Sequence, residues 1–288
     1  MAISEYHACE SRNSYPGEIV LTSFGDKVKT CQENIDISFQ DSDFHNYQFL
    51  DILRGRKLNQ FNGSRQLKSN KNSKIIILIT SHGGENFIIF RNYFVMLSVE
   101  LNLALKEMYI KGKYKELLFI IDSCEGYTLY RHIKVPNIYF ISSSNIGQKA
   151  VSYSYDDILM GPTVDKFHYL LYNSLKKIHE NNSYNTTLNE LFGGIKEKKK
   201  FLESDVIWDN KIDRVLYVKD FFGDKNLENE KVLDATQLIN LNDLDNGDED
   251  NSFLDNFIQS NKGLNEKRKK IDDEVMKIRN YHEEKYTL

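Results

Sequence analysis

Two residues of this 288-residue chain, Cys124 and His82, have side chains that could together perform nucleophilic chemistry. A thiolate is a strong nucleophile, but an ordinary cysteine is mostly protonated at neutral pH, so a nearby imidazole must take or balance its proton. Each residue ends a run of apolar residues. The first run is Lys74-Ile-Ile-Ile-Leu-Ile-Thr-Ser-His82-Gly-Gly84 and the second is Glu116-Leu-Leu-Phe-Ile-Ile-Asp-Ser-Cys124. Parallel strands joined by long crossovers put their carboxyl ends along one edge of a sheet, where two such residues share a crevice. The glycines after His82 would let a substrate backbone come close. The Gly83 and Cys124 N–H groups would then supply the two halves of an oxyanion hole. Taken singly, each signal has a plainer reading: a free cysteine past a strand packs as a small hydrophobe, and His-Gly-Gly occurs in ordinary turns. Their joint occurrence at two strand ends favours the chemical one.

The surrounding elements must hold this pair in place. Ser14-Tyr-Pro-Gly17 marks a turn before Glu18 to Leu21, Ile35 to Phe39 alternates like a short strand, and His45 to Arg54 has a helical pattern. Asn59 to Ser73, without a period, is an exposed loop ahead of the strand at 74–81. Leu97 to Ile110 carries apolar residues at helical spacing and suits a crossover to the strand at 116–122. A short helix after Cys124 runs through Arg131, Pro136 breaks it, and Asn137 to Ser142 forms a third buried strand. Val164 to Ile178 is a second amphipathic helix, and Arg214 to Gly223 has the pattern of a closing strand. The alternation predicts an α/β fold, a mostly parallel sheet covered by helices on both faces. From 224 the composition changes to an acidic, turn-rich linker (Asn240 to Asp250) and a highly charged helical tail (Asn265 to Glu284). The expected domains are therefore 1–223 and 224–288.

A net charge of −4, with Lys and Arg scattered along the chain, argues against nucleic acid as a partner. Three cysteines, Cys9, Cys31 and Cys124, are too few for a disulfide framework. No stretch approaches the roughly 20 apolar residues a membrane helix needs. Met1 to Arg12 has no signal-peptide core.

Three segments, Ile79-Thr-Ser-His82-Gly-Gly-Glu-Asn-Phe87, Lys113 to Cys124 and Val215-Leu-Tyr-Val-Lys-Asp-Phe-Phe-Gly223, resemble in order and spacing the GPI-transamidase catalytic-subunit family of legumain- and caspase-like cysteine peptidases. Ala8-Cys9-Glu-Ser-Arg-Asn13 and Asn34 to Arg56 extend the likeness over roughly residues 1–223. The resemblance implies a caspase-like fold in which Cys124 attacks a carbonyl near the carboxyl end of a proprotein and His82 handles the protons. A thioester then forms and is resolved by the ethanolamine amine of a GPI lipid, without metal or organic cofactor. It further implies that Asp122, Ser143, Ser144 and Asp165 line the pocket for the residue being cut. Strand-end capping by Asp122 and the serines, and a helix-dipole role for Asp165, stand beside that reading. By the same likeness the partners are other transamidase subunits, the location is the lumenal side of an endoplasmic reticulum membrane complex, and Cys9 matches a family cysteine associated with a disulfide to a partner subunit, although the residue by itself reads as a reduced surface cysteine.

The sequence also departs from the family pattern. It starts after the family's hydrophobic leader and after a strand and helix whose Asn orients the catalytic histidine. It reads Ser143-Ser-Asn-Ile-Gly-Gln-Lys149 where Gly-Glu-Asp is usual, and it ends in the charged tail where a membrane helix is expected. Two alternatives follow: a soluble endopeptidase using the same pair with water as acceptor, or an inactive remnant.

Overall fold

The structure is a computed structural model. It describes residues 2–4, 14–21, 27–29, 37–40, 45–56, 67–90, 94–158, 161–209 and 214–223. Before the central sheet, β1 (Ala2–Ser4) pairs parallel with β4 (Ile37–Gln40), and β2 (Glu18–Val20) pairs antiparallel with β3 (Lys27–Lys29). The helix α1 (Asn46–Leu53) follows.

The centre is a four-stranded sheet built on β5 (Lys74–Thr80), β9 (Glu116–Asp122) and β10 (Ile138–Ser142), all parallel, in the spatial order β10-β9-β5. Between β5 and β9 the chain forms the antiparallel ribbon β6 (Gly83–Gly84), β7 (Phe87–Ile89) and β8 (Val95–Leu97), then the helix α2 (Ser98–Ile110). After β10 come the small hairpin β11 (Tyr155–Asp156) and β12 (Gly161–Pro162), and the helices α3 (Lys166–Glu180), α4 (Leu188–Lys196) and α5 (Lys199–Leu202). The edge strand β13 (Ile207–Asp209) joins β10 antiparallel.

The uninterrupted apolar runs have a simple cause, since a strand covered on both faces cannot alternate with polar residues. Every residue of β9 is buried. Leu117, Phe119 and Ile121 face a core shared with α1, α2 and the 3₁₀ turn Gly126–Leu129. Leu118 and Ile120 face a second core built with α3 and α4. Ile138 and Phe140 of β10 join the first core, and Tyr139 and Ile141 the second. On β5, Ile75, Ile77 and Ile79 belong to the first core. Leu78 is 47% exposed, as befits a strand with no partner on its outer side among the described residues.

The expected closing strand at Arg214 to Gly223 is corrected. Its alternation is real, because Leu216 and Val218 are buried in the second core while Val215 and Tyr217 are exposed. Its hydrogen bonds, however, go to the segment before α4: Leu188 N donates to Leu216 O (2.8 Å) and Val218 N to Thr186 O (2.8 Å). The chain then turns into the short helix α6 (Lys219–Phe222). Ion pairs of Arg214 with Glu116 and of Asp220 with Lys74 hold it across the amino ends of β9 and β5. The sheet edge is taken by Ile207-Trp-Asp209.

Thr187 and Glu190 form a reciprocal capping box at the start of α4, a Thr-x-x-Glu signal legible in the sequence. The turn-rich linker, the charged tail, Cys9 and Cys31 lie outside the described residues. Division by compactness separates Met1–Lys225 from Asn226–Leu288. No described helix is long and apolar enough to cross a membrane.

Leu216→Ala is expected to cost about 2–5 kcal/mol in urea unfolding and Val215→Ala less than about 0.5 kcal/mol, because one side chain is enclosed and the other exposed.

Candidate active site

The pairing of β5 with β9 runs to their carboxyl ends, where Thr80 stands opposite Asp122 and Ser81 N donates to Asp122 O at 3.2 Å. Two residues beyond these partners lie His82 and Cys124. The two loops are in close approach. A Cβ added at Gly83 would run into the Ser123 hydroxyl and stand 3.0 Å from Phe87 O and 3.2 Å from Cys124 O. Only a glycine lets these backbones meet so closely. His82 is exposed, and Cys124, a free thiol, is partly exposed.

The turn after the thiol is strained and firmly held. Glu125 adopts φ 51°, a left-handed conformation that costs a non-glycine residue on the order of 1 kcal/mol or more. Its N–H donates to Gln148 O (2.8 Å), and its carboxylate accepts from Gly147 N (3.1 Å). Gly126 N donates to Ser144 Oγ (3.0 Å), while the Cys124 N–H has no partner among the described residues. Gly126 is needed for its size, since a Cβ there would lie 2.5 Å from Ser142 Oγ and 2.9 Å from Ile121 Cγ2.

One buried hydroxyl links the two loops. Thr128 Oγ1 donates to Glu125 O (2.7 Å), has Gly84 O at 3.2 Å, and accepts from Asn86 N (2.8 Å). Arg131 adds an outer clamp, reaching Glu85 Oε1 (2.8 Å) and Asn86 Oδ1 (3.0 Å). His82 O in turn accepts from Ile89 N (2.8 Å), and the Ser81 hydroxyl donates to Ile89 O.

The carboxyl end of β9, two residues before Cys124, and the start of α3 bring together a cluster of polar side chains. The Asp122 side chain is fully buried, and one of its oxygens accepts from His168 Nδ1 at 2.6 Å. Its other oxygen, and His168 Nε2, have no hydrogen-bond partner among the described residues. Asp165 is the N-cap residue of α3 but makes no side-chain cap; its carboxylate accepts from Ser152 Oγ (3.0 Å). Ligand atoms of Asp122, Asp165 and His168 lie within 4.8 Å of one another. Burial, and next the charge of Asp122, push the Asp165 carboxyl above its usual range, against the opposing pull of Ser152, His168 and His82.

The two serines behave differently from each other. The Ser144 hydroxyl is turned to backbone on both sides, donating to Ser123 O (2.6 Å) and accepting from Gly126 N (3.0 Å), so it braces the turn after Cys124. Ser143 Oγ is buried without a hydrogen-bond partner among the described residues. The Ser143 carbonyl accepts from Ser204 Oγ (2.7 Å).

The model of the Peptidase C13 family matches residues 4–237. The chain belongs to the Peptidase C13 family. It is 29% identical over 198 residues to the GPI-anchor transamidase of Mus musculus and 28% identical over 198 residues to that of Saccharomyces cerevisiae. These alignments take in 67% of this chain and 48% and 46% of the respective relatives. The GPI-anchor transamidase of Schizosaccharomyces pombe is 30% identical over 167 residues, covering 58% of this chain and 44% of that protein. The chain thus spans about half the length of the curated relatives it matches. Among solved structures, caspase-1 from Spodoptera frugiperda aligns with a TM-score of 0.40 and 10% identity, over 63% of this chain and 73% of that one.

Two residues of this C13-family chain were not singled out from its sequence. His168 lies one helical turn after Asp165, a spacing that puts both on one helix face. Thr128 carries no local signal, because its partners are up to 44 residues away. Thr128→Val should lower stability by about 1–2 kcal/mol in denaturant unfolding, since it strands the half-buried Asn86 N–H, and Thr128→Ser should recover most of that loss. Asp165 gives a pH test. A carboxyl raised in the folded state binds its proton more tightly than in the unfolded chain, so its contribution to stability falls as pH rises from the ordinary carboxylate range through the raised value. Asp165→Asn should therefore be more stable than wild type at neutral pH, and thermal unfolding should show that advantage vanish in acid.

Proposed function

We propose that this chain is a catalytic subunit of the GPI-anchor transamidase type, with Cys124 as nucleophile and His82 as its acid–base partner. The observation that carries the reading is the close approach of the His82-Gly83 and Ser123-Cys124 loops at the carboxyl ends of parallel strands, in a chain of the Peptidase C13 family. The names of the relatives point the same way.

In this proposal His82 takes the thiol proton and the sulfur adds to a carbonyl near the carboxyl end of a proprotein. The Gly83 and Cys124 N–H groups receive the developing oxyanion. As the tetrahedral adduct collapses, the imidazolium gives its proton to the departing amine and a thioester remains on Cys124. The ethanolamine amine of a GPI lipid then attacks, loses a proton to His82, and leaves the new amide and the free thiol. Asp122 and Asp165 would shape the pocket for the residue being cut, with Ser143 at its back. The proposed setting is the lumenal side of an endoplasmic reticulum membrane complex with other subunits, Cys9 offering a disulfide to one of them.

Hydroxylamine serves as a simple amine acceptor. With a peptide carrying a carboxyl-terminal attachment signal, the chain is expected to form a hydroxamate, detected by mass spectrometry, and Cys124→Ala and His82→Ala should each abolish it. Hydrolysis without hydroxamate would assign the chain to peptidases that use water as acceptor. Normal turnover in either variant would refute the pair, and no product at all would mark an inactive member of the family.

A further inference from the structure

The Ser144 hydroxyl lies against the peptide group that carries the Cys124 N–H, and the sheet puts it there. β9 and β10 pair in parallel register up to Ile121 with Ser142, and Ser143 N donates to Ile121 O (2.9 Å). Ser123 and Ser144 each stand two residues beyond that last pair, so the two strand ends deliver them side by side. Ser144 is fully buried, and its hydroxyl donates to Ser123 O at 2.6 Å. Its own backbone is pinned as well. Ser142 Oγ donates to Ser144 O (2.9 Å) and accepts from Ser144 N (3.3 Å), and Tyr127 N donates to Ser144 O (3.2 Å). A trans peptide group is planar, with its C=O and N–H on opposite sides, so the bond that fixes the Ser123 carbonyl also fixes the direction of the Cys124 N–H. That N–H has no partner among the described residues. Gly126 N also reaches the Ser123 carbonyl, at 3.2 Å, but it is shared with Ser144 Oγ (3.0 Å), so the hydroxyl makes the shorter bond and the stronger one.

We propose that Ser144 is a positioning residue for acyl transfer: its hydroxyl sets the plane of the Ser123–Cys124 peptide and thereby aims the Cys124 N–H at the developing oxyanion. This rests on the acyl-transfer reading of Cys124 and adds to it a side chain that acts only through the backbone. An aimed donor contributes most in the transition state, where the carbonyl oxygen moves and gains charge, and much less in the ground state. Loss of the aim therefore slows turnover and leaves substrate binding nearly unchanged.

The test uses the full chain with the signal peptide and hydroxylamine, and a matched control. Ser204→Ala removes another buried hydroxyl bonded to a backbone carbonyl of the same loop, that of Ser143, and leaves the Cys124 peptide untouched. Ser144→Ala should lower kcat about ten- to hundredfold, less than the loss of a whole oxyanion donor, with KM within about threefold of wild type. Ser144→Cys, close in size and carrying a weak S–H donor, should lose less. Ser204→Ala should keep kcat within about threefold. Iodoacetamide alkylation of Cys124 builds no oxyanion and should run at one rate in wild type and every variant. If the product is the hydrolysed peptide instead of the hydroxamate, the same comparison is read on hydrolysis. An unchanged kcat in Ser144→Ala, an equal loss in Ser204→Ala, or a loss carried by KM or matched by slower alkylation overturns the assignment of Ser144 while leaving the acyl-transfer reading standing. Should Ser144→Ala not fold, Ser144→Cys decides by the same criteria, and failure of both to fold overturns the assignment as well. Wild type that is alkylated by iodoacetamide yet yields neither hydroxamate nor hydrolysed peptide removes the acyl-transfer reading and this inference with it.

Discussion

The site depends on the parallel register between β5 and β9. Seven consecutive pairings, from Lys74 with Glu116 to Thr80 with Asp122, fix where the two strands end relative to each other. His82 and Cys124 inherit their proximity from that ladder. A slip of one residue would turn every side chain of β5 to the opposite face, putting Ile75, Ile77 and Ile79 out of the first core. The hydrophobic cores therefore enforce the register, and the register brings the two loops together.

Beyond the last ladder pair the loops need their own fastening, because neither is long enough to bury much apolar surface. Backbone groups and a few buried hydroxyls provide it. Thr128 joins the histidine loop to the cysteine turn, Ser144 braces Ser123 and Gly126, and the Gln148 carbonyl holds Glu125 in its left-handed conformation. Gly83 and Gly126 supply the complementary feature: a methyl group at Gly83 would meet the Ser123–Cys124 loop, and one at Gly126 the ends of β9 and β10. Strain at Glu125 next to the thiol is tolerated because several hydrogen bonds over-determine the turn.

The cluster of Asp122, Asp165 and His168 shows the opposite economy. Asp122 is buried with one oxygen lacking a partner among the described residues, and Asp165 is held beside it at an electrostatic disadvantage. Such groups lower stability in a finished fold and are retained where a ligand can satisfy them. The contrast between the braced turn after Cys124 and the under-bonded carboxylates separates the scaffold of the candidate site from the groups proposed to meet a substrate.

Much of the architecture was legible from local pattern. The runs Glu116 to Asp122 and Ile138 to Ser142 are apolar on both faces, as strands covered on both sides are, and Lys74 to Thr80 carries the same pattern on the outer strand beside them. The spacing in Ser98 to Ile110 and Lys166 to Glu180 marks the helices that do the covering. His82 and Cys124 stood out because each sits at the end of such a strand. The alternation of Leu216 and Val218 was equally visible, yet it could not say whether its partner was the sheet or the segment before α4. Sequence alone thus determined which segments bury which faces and which reactive side chains stand at strand ends, because these follow from periodicity within a few residues. Only the tertiary structure decided that Ile207 to Asp209 takes the sheet edge, that Thr128 fastens the loops, and that His168 lies against Asp122. Those outcomes depend on contacts between residues far apart in the chain, whose partners no local spacing encodes.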